Sequence, residues 1–202
     1  MSSADRSSTD RPVSATEPIP TAEPGAFRRL GEEEAFRSRL YWVGVLRMAD
    51  PLGRPFTRDV VHHPGAVAVV PVDDTGAVTL VRQFRPAVGR YVLEVPAGTC
   101  DGDGESLEET ARRELAEEAG LQARDLQRMV EVFNTPGYSD QVTTVFLATG
   151  LAPCATDRAG VEEEFMELVT MPLHEATAMI ADGSIVDATT IVGLLLAGGA
   201  PS

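Results

Sequence analysis

The chain carries only two cysteines, Cys100 and Cys154, in 202 residues. They make no metal-ligand spacing, and no cysteine–histidine arrangement suited to nucleophilic attack accompanies them, which sets aside a zinc site and thiol catalysis. No early apolar run could act as a signal peptide, and no later stretch reaches the ~20 apolar residues that a membrane helix needs. The run from Ile191 to Ala197 is too short to span and reads as a buried terminal helix. With no export signal, both thiols are expected reduced and the protein cytoplasmic. Positive charge is scarce as well: 17 Lys and Arg stand against 31 Asp and Glu, for a net charge of −14. That balance argues against gripping long nucleic acid through its phosphates. It would also repel a small anionic substrate, so cations at any such site must offset the field. The sequence contains no internal repeats.

What is present suits one core with a loose end. The chain is 43% hydrophobic, enough for a single core with little left for a second. Residues 1–25 are rich in Ser, Thr, Asp and Pro with almost no large apolar side chains, and are expected to be disordered. Beyond them the pattern is mixed α/β. Val60-Val61, Ala66 to Val72 and Ala77 to Phe84 read as strands, with Asp73-Asp74-Thr75-Gly76 as a hairpin turn. Tyr91 to Val95 is the next strand. Met129 to Phe133 and Gln141 to Ala148 form another pair across the turn Thr135 to Asp140, and Phe165 to Val169 reads as the last strand. A helix is expected over Pro172 to Ala181, stopped near Gly183, and a final one over Ala188 to Leu196 with Asp187 as its cap.

The most informative segment is Arg113-Glu114-Leu115-Ala116-Glu117-Glu118-Ala119-Gly120-Leu121. Ser106 and Glu109 read as a capping box ahead of it, and Gly120 as a left-handed stop. At about 100° per residue, Glu114, Glu117 and Glu118 share an arc of roughly 100° on the helix. Like charges at that spacing cost a few tenths of a kcal/mol per pair. A cation seated on them would offset that cost, and oxygen-only ligands favour a hard ion. The plainer reading is a solvated acidic face.

What precedes the helix favours the cation. Glu94-Val95-Pro96-Ala97-Gly98 leads into a Gly/Asp loop and then Glu105, and eight positions later comes Arg113. This run, from Gly98 through Glu105, Arg113-Glu114, Glu117-Glu118 and Gly120 to an apolar residue, resembles the Nudix box. One departure is visible: six residues lie between Gly98 and Glu105, where the family pattern has five. An extra residue in such a loop costs little. It leaves the helix carboxylates in register and puts any role of Glu105 in doubt.

The resemblance implies a Nudix α/β/α sandwich with a mixed sheet over residues 65–202, preceded at 26–64 by strands forming a small antiparallel sheet that could make a dimer. Outside the box, Val81-Arg82-Gln83-Phe84-Arg85-Pro86 ahead of Glu94 to Gly98, Pro136 fifteen residues past Leu121, and Glu162-Glu163-Glu164-Phe165 look like the ADP-ribose pyrophosphatase branch. Tyr138 instead falls where dinucleoside polyphosphate hydrolases carry a tyrosine. The activity implied is hydrolysis of ADP-ribose to AMP and ribose 5-phosphate. The alternatives are a broader nucleoside-diphosphate-sugar or dinucleoside polyphosphate pyrophosphatase, and a non-catalytic ADP-ribose sensor, although the box carboxylates are intact.

The same resemblance assigns roles. Glu114 and Glu118 are the main ligands of Mg²⁺, with Mn²⁺ a substitute, Glu117 assists, and the Ala97 carbonyl is a further ligand. Arg113 ion-pairs within the acidic cluster. The general base comes from the late acidic run, Glu164 first and Glu162 next, where the plainer reading is a solvated loop. Arg85 is the first candidate for a phosphate contact because guanidinium offers two donors, the alternative being an exposed strand-end arginine. Arg58, Glu94 and Ser139 are further candidates for substrate contact. Trp42 could supply an aromatic face for adenine, across a homodimer, or simply pack the N-terminal sheet. His62, His63 and His174 read as surface or packing residues.

Overall fold

The computed structural model describes residues 25–102, 104–156 and 163–199. Glu162 and most of residues 1–25 lie outside them. At the centre is a strand of uninterrupted small apolar residues, β4 (Ala66–Pro71), buried from its second residue onward. Such a run is expected where a strand is covered on both faces, and alternation along it assigns the layers. Val67 and Val69 join Ala111, Leu115 and Ala119 of α1 (Leu107–Ala119), with Phe146 and Ala148, in one core cluster. Ala68 and Val70 face the other way, into a cluster with Val145, Ala176, Ile185 and Leu194. The last three belong to, or lead into, α2 (Leu173–Ala181) and α3 (Ala188–Ala197). A strand with helices on both faces is the expected sandwich.

The strands form three sheets. The mixed sheet runs β7–β4–β9–β8, from β7 (Ala97–Thr99), β9 (Val142–Pro153) and β8 (Leu121–Phe133). β4 and β9 are parallel, the other pairs antiparallel. A second sheet, β10–β5–β6, combines β5 (Ala77–Arg85), β6 (Arg90–Glu94) and β10 (Glu167–Pro172). Its Val78 and Leu80 contribute to the cluster on the α3 side. The small N-terminal sheet is an antiparallel meander of β1 (Arg28–Arg37), β2 (Trp42–Ala49) and β3 (Pro55–His62).

Helix ends follow the sequence signals. The Ser106–Glu109 capping box is complete, and Gly120 adopts φ 63° with its N–H donating to the Ala116 carbonyl. Asp187 caps α3 by accepting from the Thr190 N–H. Three expectations change. β4 and β5 are joined by the turn at Asp73–Gly76 and a single bridge between Val72 and Val78, but enter different sheets, because both edges of β4 are taken by β7 and β9. β8 begins at Leu121, since Leu121, Ala123 and Leu126 face α1 while the polar residues between them point outward. The last strand is Glu167–Pro172, and Glu163–Phe165 forms a 3₁₀ turn before it.

A charged clamp holds the N-terminal sheet to the rest. His62 Nε2 lies 2.6 Å from Glu32 Oε1 on β1, and its Nδ1 lies 2.5 Å from Asp140 Oδ2 in the turn before β9. Trp42 stacks on the same imidazole, 4.0 Å between ring centroids and 21° between planes. The Val61 N–H also donates to the Tyr138 carbonyl at 2.8 Å.

Candidate active site

The acidic face of α1 turns toward the Pro96–Gly98 backbone. Glu114 and Glu118, one turn apart, are buried, and Glu117 beside them is half-buried. The Ala97 N–H donates to Glu118 Oε2 at 2.9 Å, so the backbone that enters β7 also orients the carboxylate. At Gly98 the approach is closer still: a Cβ there would collide with the Glu114 carboxylate. Glycine there leaves the Glu114 carboxylate its place against the backbone, and the φ of Gly98 is ordinary.

Arg113 gathers the other carboxylates. Its Nη1 donates to Glu114 Oε1 at 2.7 Å and to Glu117 Oε2 at 3.1 Å, while Nε and Nη2 reach Glu105. The Glu105 hydrogen bonds, followed by the charge and hydrogen bonds of Glu114 and Glu117, hold this guanidinium above its ordinary value against partial burial. Arg113 in turn keeps Glu105 below the usual carboxylate range, so the extra loop residue has not pulled Glu105 out of the cluster. Nearby, burial and then the charges of Glu105 and Glu114 push the Cys100 thiol up to about 11, which leaves it protonated and unreactive.

Among the described residues, no three His, Cys, Asp or Glu side chains stand together closely enough to hold a cation unaided. The donor chemistry nonetheless fits a hard divalent ion. Two buried carboxylates face one stretch of backbone, and at Gly98 the Glu114 carboxylate lies where a Cβ would stand.

Beside this face opens a cavity of about 290 Å³, lined by Arg85, Glu94, Ala97 and Gly98 on one side and by Asn134, Asp187 and Thr189 on another. Leu40 reaches it from the N-terminal sheet, and His63 from the end of β3. Arg85 is held by Glu94, with Nη2 to Oε2 at 2.6 Å and Nε near both oxygens, while Gln83 Nε2 donates to the same carboxylate. Burial pulls the Arg85 guanidinium down, but Glu94 foremost, then Glu118 and Asp187, outweigh it and hold it up. His63 accepts from the Gly65 N–H at Nδ1, which leaves its proton on Nε2. Burial pushes this imidazole below its ordinary value, opposed by the charge of Asp140.

The structure therefore brings Arg85, Glu94, Ala97, Glu114, Glu117 and Glu118 into one region, from three separate stretches of sequence. It places the remaining candidates elsewhere. Ser139 is buried in its turn, donating to the Val61 carbonyl and accepting from the Gln141 N–H. Arg58 lies exposed on β3 over the Phe56 ring. Trp42 is stacked on His62, with the Arg37 guanidinium 5.5 Å from its ring centroid. Glu164 is exposed in the 3₁₀ turn and does not line the cavity. Sequence reasoning missed His63, Asn134 and Thr189 at the cavity, and read Asp187 only as a cap. Single polar residues at strand and helix ends carry no periodic signal that would have marked them.

A model of the NUDIX domain matches residues 61–190. Over 169 residues, 84% of this chain and 82% of the relative, the sequence is 43% identical to an ADP-ribose pyrophosphatase of Mycobacterium tuberculosis. It is 40% identical over 135 residues to a GDP-mannose pyrophosphatase of Yersinia enterocolitica, covering 63% of this chain and 70% of that one. A crystal structure of an ADP compounds hydrolase superposes with a TM-score of 0.74 at 26% identity, covering 87% of this chain and 94% of the other. The chain belongs to the Nudix family and is a Nudix hydrolase, a class of enzyme that works with divalent cations.

Proposed function

We propose that this enzyme hydrolyses the diphosphate linkage of ADP-ribose, giving AMP and ribose 5-phosphate, with Mg²⁺ as its cation and Mn²⁺ as a substitute. The observation that carries this reading is the adjacency of two features. The Glu114–Glu118 face of α1 meets the Ala97–Gly98 backbone, and that backbone forms one wall of the cavity holding Arg85 and Glu94. The names of the Mycobacterium tuberculosis relative and of the superposing hydrolase support the adenosine diphosphate moiety.

In this reading Glu114 and Glu118 would hold the cation, with Glu117 assisting and the Ala97 carbonyl as a further ligand. The cation supplies charge neutralisation at the diphosphate and a more acidic water. The chain's own residues do the rest. The Ala97 N–H fixes one oxygen of Glu118, and Arg113 holds Glu114 and Glu117 in place. Arg85, braced by Glu94, presents its remaining donors to a phosphate oxygen. Glu164, with Glu162 next, takes the proton from the attacking water. Its support is position alone, at the start of the segment leading into β10. A homodimer would bring Trp42 toward substrate from a second copy, and we place the protein in the cytoplasm, without nucleic-acid or membrane partners. No described helix is long and apolar enough to cross a membrane.

The test is a product assay with Mg²⁺ and separate incubations with ADP-ribose, ADP-glucose, GDP-mannose and a diadenosine polyphosphate. AMP and ribose 5-phosphate formed far faster from ADP-ribose than any other cleavage supports the reading. Comparable rates on several substrates replace it with a broader nucleoside-diphosphate-sugar pyrophosphatase, the reading that the Yersinia relative favours. Glu164→Gln should abolish turnover and spare binding; unchanged turnover removes Glu164 from the mechanism.

A further inference from the structure

The cavity has a second polar wall that the diphosphate chemistry does not use. It is the first turn of α3, where Asp187 and Thr189 both line the space. Thr189 is buried, at 7% exposure, and sits at the end of an oriented hydrogen-bond chain. The Thr143 hydroxyl donates to Asn134 Oδ1 at 2.8 Å, and Asn134 Nδ2 donates to Thr189 Oγ1 at 3.1 Å. Thr189 Oγ1 is thereby an acceptor on the inner side, and among the described residues its own proton meets no acceptor. A buried hydroxyl left with an unused donor costs free energy unless something in the cavity accepts from it.

Asp187 supplies the complementary half. Its Oδ2 accepts from the Thr190 N–H at 2.7 Å, and among the described residues Oδ1 accepts no hydrogen bond. A directed donor and a carboxylate acceptor, two residues apart, suit a hydroxyl-bearing group, because each sugar hydroxyl both donates and accepts. They suit a second phosphate less well, because Asp187 brings a negative charge to this wall and Arg85 lies with Glu94 elsewhere on the lining.

We infer that Asp187 and Thr189 form the specificity-determining wall of the cavity, reading the hydroxyls of the sugar attached to the diphosphate. This rests on the reading that the substrate is a nucleoside diphosphate joined to a sugar.

The experiment compares kcat/KM for ADP-ribose with that for the β-methyl ester of ADP, which has the diphosphate but no second sugar. Three variants serve. Thr189→Val removes the hydroxyl at nearly constant volume, and Thr189→Ser restores it. Asp187→Asn keeps an N-cap of equal quality while replacing the second oxygen with a donor. Thr189→Val and Asp187→Asn should each lower the ratio of the two kcat/KM values about tenfold or more, and Thr189→Ser should hold it near the wild-type value. Equal losses on both substrates, or an unchanged ratio, would overturn the inference.

Calorimetry separates this failure from a failure of the proposed activity. With Mg²⁺ present, the wild type should bind ribose 5-phosphate more tightly than methyl phosphate, and Thr189→Val should erase most of that preference. An enzyme that cleaves neither substrate yet shows this pattern refutes the ADP-ribose activity and upholds the wall. Equal affinity of the wild type for the two phosphates, or no binding of either, refutes the wall.

Discussion

Replacing Arg113 with methionine removes a cation that faces three carboxylates while keeping an unbranched chain of similar reach. The pair with Glu114 dominates, because the Glu114 side chain is only 11% exposed and cannot recover its hydration when the partner leaves. Breaking a pair of that kind costs about 3–5 kcal/mol when fully buried, and Arg113, at 32% side-chain exposure, reduces this to about 2–3 kcal/mol. The contacts with Glu105 and Glu117 are closer to the surface and add roughly 0.5 kcal/mol each. For a domain of this size 1 kcal/mol corresponds to about 2–4 °C, so Arg113→Met should melt about 6–16 °C below wild type in EDTA. Excess Mg²⁺ should narrow the gap, since a cation bound to Glu114 takes over the missing countercharge. Scanning calorimetry of both proteins with EDTA and with Mg²⁺ gives the four melting points. A drop in EDTA below about 2 °C, or an identical gap with and without Mg²⁺, would refute the electrostatic account of this cluster.

Gly98→Ala should displace the Glu114 carboxylate and lower kcat on the order of 100-fold, with a weaker response to Mg²⁺; a normal cation titration would show that the side chain has room. His62→Ala breaks both charged contacts and the Trp42 stack, so amide exchange in β1–β3 should accelerate while β4 and β9 stay protected, and unchanged exchange would exclude the clamp. The His63 imidazole is held below its ordinary value by burial, so the unfolded chain takes up a proton that the folded chain refuses. Its contribution is therefore complete above pH ~6.5 and is lost as pH falls toward the folded value, with a slope of at most about 1.4 kcal/mol per unit. His63→Gln should flatten the loss of urea stability between pH 7 and pH 5.5, and an unaltered pH profile would refute the assignment.

How much of the site was legible depended on whether its residues shared one periodic element. The helix carboxylates did: Glu114, Glu117 and Glu118 fall on one arc whatever the helix packs against, and the Ser106 box and Gly120 bound that helix from within. Arg113 was placed among them by the family resemblance. Arg85 and Glu94 were visible as candidates, but not their pairing: the β5–β6 register sets Glu94 opposite Val81, and Arg85, four residues on, reaches back along the strand to it. The start of β8 was missed because its outward face carries Gln, Arg and Asp, and strand propensity there is set by the partner strand β9. The cavity wall at α3 was illegible, because Asp187 and Thr189 meet Asn134 and Thr143 only after α3 docks on the sheet.

By itself, then, the sequence determined the elements that local rules govern: the capped acidic helix, the apolar run of β4 with its two-faced burial, and the shortage of positive charge around an anionic chemistry. Tertiary structure alone decided which loops and helix ends share a cavity, that Glu94 braces Arg85, that His62 bridges Glu32 and Asp140, and that β4 and β5 part into different sheets. The physical reason is range. Periodicity and capping act within a few residues along the chain, whereas a cavity is assembled from side chains tens of residues apart, whose positions exist only once the layers have packed.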